Sequence, residues 1–238
     1  FVPLFNLLAF EFCFASTCLS AITGTLIGFF SSDEAHPTQA STFCRPMLAQ
    51  ALIHLGPGLV IILLNALRVP NCNFLQGLMF YVFLPMLSSL YAASGGLLLS
   101  LWTQHINRCW RAGLCLLFIL GPLAHALWFL YSQPPIFVFD HLWGYFPGSL
   151  YDEGRRINTA LIAFRTFTLL RIVSILFAIY LTLKWRQAQS LKQVCLLAIG
   201  FVAAINIIFE NINKRDLHFY SDRSVIENIL TDRIEIPG

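Results

Sequence analysis

The feature that most constrains this chain is the grouping of its apolar residues into runs near the length that crosses a ~30 Å hydrocarbon core as a helix. Six such runs stand out by hydropathy: about 2–30, 47–67, 74–101, 112–131, 157–183 and 193–209. The 238 residues are 57% hydrophobic and only 11% charged, whereas soluble domains carry about 25% charged residues. A soluble protein of this composition would expose large apolar patches. The reading is an all-α polytopic integral membrane protein, a bundle of six transmembrane helices with an aromatic-rich outer loop. A net charge of +3 spread over the loops implies no nucleic-acid surface. Residues 1–210 form the transmembrane domain on this reading.

The longest stretch that does not fit a span is 132–156, SQPPIFVFDHLWGYFPGSLYDEGRR. Its Pro134-Pro135, Gly144, Pro147 and Gly148 predict turns rather than a helix. Phe137, Phe139, Trp143, Tyr145, Phe146 and Tyr151 resemble an interfacial belt, which predicts an ordered cap lying on the bundle. Pro57, Pro85 and Pro122 fall inside spans and predict kinks that neighbouring helices satisfy.

The connections alternate sides. One face carries Arg45, Arg108, Arg111, Lys184, Arg186 and Lys192, and the other Arg68, Arg155 and Arg156. The more basic face is read as cytoplasmic, which puts loop 132–156 and the C-terminus outside, in a bacterial inner membrane. The tail 211–238 holds an amphipathic stripe of Val225, Ile226, Ile229 and Leu230 followed by alternating residues from Arg233 to Ile236. It reads equally as the start of a soluble domain and as a tail lying on the membrane. Because the first residue is Phe and apolar sequence begins at once, sequence upstream is expected, from a cleaved signal peptide or a longer polypeptide.

Ionisable residues inside spans need a partner or a purpose. Glu11 sits roughly 14 Å into the first span, and Arg165 and Arg171 roughly 12 Å and 21 Å into the fifth from the same face. Glu11 therefore pairs with either arginine, as a packing ion pair or as a buried head-group site. His54 and His125 differ in depth by about 9 Å, which argues against paired haem ligation, and a helix-to-helix hydrogen bond is the expected role. In the outer loop, Asp140, His141, Asp152 and Glu153 have ligand chemistry without a recognisable metal spacing. Together with Trp143 and Tyr145 they are the candidates for contacting a ligand or partner.

The seven cysteines form no framework and are expected as free, buried thiols. Ser94-Gly95-Gly96 is a small-residue patch suited to close helix approach. No HExxH, GxSxG, Walker or Rossmann pattern occurs, and no metal or cofactor is expected. The leading functional expectation is a non-catalytic membrane subunit or anchor, set in the lipid bilayer and docking a protein partner or downstream domain. Transport of a small solute or lipid through Glu11, Arg165 and Arg171 is the second reading, and an intramembrane enzyme acting at the outer face the third.

The strings FDHLWGYFPGSLYDE, at 139–153, and RVPNCNFLQGL, at 68–78, resemble segments of uncharacterised bacterial multi-spanning proteins. In some of these a periplasmic zinc-peptidase-like domain follows the membrane part. The resemblance implies that any peptidase activity would lie beyond Gly238, and it transfers no role to a residue here.

Overall fold

The structure is a computed structural model that describes residues 10–31, 41–50, 56–68, 74–132, 137–147 and 159–187, with single positions at 52, 55, 157, 200, 204 and 207. It is mostly helical. In chain order the elements are α1 (Phe10–Ser31), α2 (Ser41–Gln50), α3 (Gly56–Arg68), α4 (Phe74–Tyr81), a π-helical turn (Val82–Met86), α5 (Leu87–Thr103), α6 (Arg108–Ser132), β1 (Phe137–Asp140), β2 (Gly144–Pro147) and α7 (Thr159–Gln187). Four stretches are long and apolar enough to cross a membrane: Phe10–Ser31, Phe74–Thr103, Arg108–Trp128 and Leu161–Lys184. They coincide with the first, third, fourth and fifth expected spans. The sixth expected span falls almost wholly outside the described residues, and the tail 211–238 does so entirely.

The second expected span, anticipated as a single helix over 47–67, is described in part. Its described stretches are α2, which begins at Ser41 in sequence expected to be loop, and α3, from Gly56. Leu52 and Leu55, the described positions between them, have the wider π-helical winding. Pro57 follows directly on this wider winding, at the second position of α3. Pro85 is handled in a related way, inside the π turn that joins α4 to α5. Widening a turn relieves the clash between a proline ring and the preceding turn without ending the helix. Pro122 lies within α6.

The packing centre is the crossing of α1 with α5. Both helices bring small residues to the contact, with Ala21, Gly24, Thr25 and Gly28 buried on α1 and Ser89, Ala92, Ala93 and Gly96 buried on α5. A Cβ at Gly28 would run into the Ala93 carbonyl, and one at Gly96 into the Thr25 carbonyl; one at Gly24 would lie 3.0 Å from the Ala92 methyl. The backbones therefore touch directly. Thr17 and Thr25 are buried yet satisfied, because each hydroxyl donates 2.7 Å to the carbonyl one turn back, on Cys13 and Ala21. The α2 helix joins this centre through buried Gln50, whose Nε2 donates to the Ser20 carbonyl at 3.2 Å and to Thr23 Oγ1 at 3.1 Å.

The α7 helix packs on α5 through Leu97, Leu101, Ile179 and Leu183, and Trp102 Nε1 donates to Thr182 Oγ1 at 3.2 Å. Near the opposite end of α6 from the hairpin, Arg111 donates to Ser100 Oγ at 3.1 Å and lies 5.2 Å from the centre of the Phe29 ring. Even so α6 is peripheral. It buries only 11% of its apolar window, against 61% for the α4–α5 stretch.

The clearest departure from the sequence reading is the outer loop. The cap expected on the face of an all-α bundle is an antiparallel β-hairpin set between the helices. Its register pairs Phe137 with Pro147, Val138 with Phe146, Phe139 with Tyr145 and Asp140 with Gly144. At the tip, Leu142 is buried against Ala21 and Ala92, and Trp143 reaches Ile119. Ala21 is about 16 Å along α1 from Phe10, and Ile119 about 20 Å along α6 from Ser132. The tip thus sits near mid-length of the helices that surround it. Of the aromatic residues expected at the rim, Phe139, Trp143 and Tyr145 pack in the interior instead.

Opposite outcomes are expected for two glycines. Gly96→Val should destabilise the purified protein by about 1–3 kcal/mol, the usual cost of overpacking. Gly113→Ala, where a Cβ meets nothing within 4 Å, should leave stability unchanged or raise it by about 0.5–1 kcal/mol through the helical preference of Ala. Thermal unfolding in detergent reads both.

Candidate functional site at the hairpin tip

The hairpin turns because of two residues. Asp140 Oδ1 accepts hydrogen bonds from the backbone N–H groups of Leu142 and Trp143, both at 2.7 Å, an Asx-type turn. Gly144 then closes the turn at φ +95°, a left-handed conformation that glycine adopts without steric cost. A Cβ there would also stand 2.9 Å from Arg165 Nη2 and 3.1 Å from Thr17 Cγ2, so it would displace the tip of the guanidinium.

Below the tip, the strand pair presents Phe139 and Tyr145 to one cluster with Cys13, Phe80, Leu84, Leu161 and Phe164. The Phe139 and Tyr145 rings are 5.1 Å apart, and Phe10 meets Tyr145 edge-on at 5.9 Å. On the other side, the Trp143 indole donates to the Ile119 carbonyl at 3.0 Å. The neighbouring carbonyl, that of Phe118, is the one that loses its helical donor at Pro122.

His141 is held against α7. Its ring stacks on Phe164 at 4.4 Å and 13°, and its Nδ1 lies 2.9 Å from Thr168 Oγ1. Since the Thr168 hydroxyl donates to the Phe164 carbonyl at 3.2 Å, its oxygen is the acceptor towards His141. The proton is thereby assigned to Nδ1, leaving a lone pair on Nε2. Burial, followed by the charges of Arg171 and Arg165, pushes the imidazole well below its usual pKa and keeps it neutral. Burial raises Asp140, while the Trp143 and Leu142 N–H groups and then Arg165 act in the opposite direction.

Arg165 is fully buried. Its Nη1 donates to the His141 carbonyl at 3.4 Å, and Asp140 is the carboxylate whose field reaches it. Among the described residues, Nε and Nη2 have no hydrogen-bond acceptor.

The structure thus brings Asp140, His141, Trp143, Tyr145 and Arg165 together. Arg171 belongs to the same electrostatic neighbourhood through His141. Glu11 is half-buried in the first turn of α1, beside the Phe10 that meets Tyr145. Asp152 and Glu153 lie outside the described residues, as does the side chain of His54. His125 is exposed on α6. Among the described residues no group of three or more His, Cys, Asp or Glu side chains could hold a metal ion. Cys13, Cys18, Cys109 and Cys115 are free thiols. Two participants escaped the sequence reading. Thr168 stands midway between the two arginines in the spacing Arg-x-x-Thr-x-x-Arg, and Thr17 lines the tip from α1. The first of these spacings was visible in the sequence.

Removing the Asx turn separates geometry from charge. Asp140→Ala should cost about 1–2 kcal/mol of stability, by analogy with loss of a side-chain cap, while Asp140→Asn keeps an acceptor oxygen and should retain most of it. Denaturation in detergent with Trp143 fluorescence as the reporter checks the pair, and equal losses would remove the turn from the account. No protein-family model matches this chain, and neither a curated protein nor a solved structure matches it.

Proposed function

We propose that the chain is the membrane-embedded part of a six-span protein in a bacterial inner membrane, acting as a non-catalytic subunit or anchor that docks a partner. The observation that supports this reading most is how the polar residues of the hairpin are used. Asp140 closes the turn, His141 is bound to Thr168, and Trp143 is bound to α6. Each has a task inside the bundle. Loop backbone at the depth of membrane helices is tolerated where protein buries it, and this hairpin is buried. The outer loop then acts as a wedge that fixes the bundle, and docking falls to outward faces such as that of α6, with Leu117 and Trp128 exposed.

Transport of a small solute or lipid remains the second reading, because Arg165 is fully buried at the tip of that wedge. Catalysis at the outer face through Asp140 and His141 is the third.

Two measurements test the first reading. A photo-crosslinking residue at Leu117 or Trp128, in the native membrane, should give one discrete adduct, with Leu97 in the core as the silent reference. Smears from every position, together with a lone chain in native mass spectrometry, would remove the docking reading. For orientation, a variant retaining only the exposed Cys109 should react with a membrane-impermeant maleimide only after the inner membrane is opened. Labelling of intact cells stripped of their outer membrane would invert the topology.

A further inference from the structure

One polar side chain of α6 has no place in the packing described so far. His125 lies within Arg108–Trp128, a stretch long and apolar enough to cross a membrane, and it is exposed. Ser132 is about 10 Å further along the helix. An imidazole is too short to climb that distance to the headgroups, as a lysine or arginine near a helix end does. Hydrocarbon offers it neither donor nor acceptor, and a polar group left facing lipid is costly. Among the described residues none hydrogen-bonds to His125. Asp140 is near enough for charge on His125 to act on it, but Oδ1 of that carboxylate is committed to Leu142 and Trp143.

The neighbours of His125 on the helix surface narrow what can cover it. Leu117, Gly121, Ala124, His125 and Trp128 fall in one stripe about 100° wide. Leu117, Ala124 and Trp128 are exposed and Gly121 half-buried. A Cβ at Gly121 would meet only Leu117 Cδ1, from the same helix, at 3.9 Å. With glycine and alanine beside the histidine, another helix can approach closely. It must be apolar and must offer a hydrogen bond at the depth of His125. A neutral imidazole carries one donor and one acceptor, so it is its own complement. A second copy of this chain inserts in the same orientation. A twofold axis along the membrane normal then sets two α6 helices parallel, faces each residue towards its counterpart and brings both His125 rings to one depth. No carboxylate, lysine or arginine lies in the stripe, so the pairing opposes no like charges of those kinds.

We infer that α6 is the interface of a homodimer, in which the stripes from Leu117 to Trp128 of two copies pack in parallel and the two His125 rings hydrogen-bond to each other. The inference rests on the docking reading, since it names the occupant of the α6 face.

The test uses the full chain in its native membrane, with a photo-crosslinking residue at Ala124 or, for reference, at Leu116, which is exposed but about half a turn round the helix from His125. Ala124 should give an adduct of twice the chain mass, with every peptide from this chain, and Leu116 should give none. Equal adducts from both positions overturn the inference. An adduct of Ala124 with a different protein also overturns it, yet leaves the docking reading standing. No adduct from Ala124, Leu117 or Trp128 removes both. The histidine contact is read separately, by energy transfer between donor- and acceptor-labelled copies diluted in lipid vesicles. His125→Leu should raise the dissociation constant at least about fivefold. His125→Asn, whose amide again both donates and accepts, should recover most of the affinity. Equal affinity for all three proteins overturns the contact between the rings. Should a variant not fold, the Ala124 and Leu116 crosslinks, made with His125 in place, decide.

Discussion

The contact on which the rest of this structure depends is the backbone crossing of α1 and α5. Between helices in lipid there is no hydrophobic driving force, because the tails are as apolar as the side chains they replace. Close approach, with the dispersion it brings, does that work instead. Gly24, Gly28 and Gly96 allow it, and the hydroxyls of Thr17 and Thr25 stay out of the way by bonding within their own helix. With α1 and α5 fixed, α2 docks through Gln50 and α7 through the Leu97 and Ile179 layer.

The same contact explains why a β-hairpin can enter the bundle. Ala21 and Ala92, small residues of the α1–α5 crossing, leave room for Leu142 at the tip. The π turn around Pro85 lies alongside, and its Leu84 packs in the cluster that receives Tyr145. A two-stranded hairpin is marginal by itself; here its aromatic face, its Asx turn and its bond from Trp143 to α6 are all supplied with partners. The hairpin in turn joins α6 to a bundle against which that helix otherwise packs little.

The functional readings divide at Arg165. If the guanidinium serves only to hold the His141 carbonyl, the hairpin is a structural wedge in an anchoring subunit. If the buried guanidinium instead meets a small solute or lipid, the transport reading has its cation there. Both uses draw on the same side chain, because a rigid cation is what pins a turn and what selects an anion.

Most of the architecture was legible along the chain. The apolar runs located the four long helical stretches to within a few residues, apart from α1, which is described only from Phe10, because helix length and lipid thickness are read from local sequence alone. The patch Ser94-Gly95-Gly96 marked α5 as a helix of close contacts, whereas the matching Gly24-x-x-x-Gly28 on its partner went unremarked. The turn residues excluded a helix over 137–147, the described part of the loop, and Asp140, His141, Trp143 and Tyr145 were singled out by chemistry. Depth was what no local pattern contained. An aromatic, proline-bounded loop has the same composition whether it rests at the rim or enters the bundle, and only the gap left by small residues on α1 and α5 decides which. The pairing of Arg165 with the hairpin backbone is equally non-local, joining positions twenty-four apart. The residues determined which segments are helices and which side chains need partners; the packing of those helices determined which partners they found.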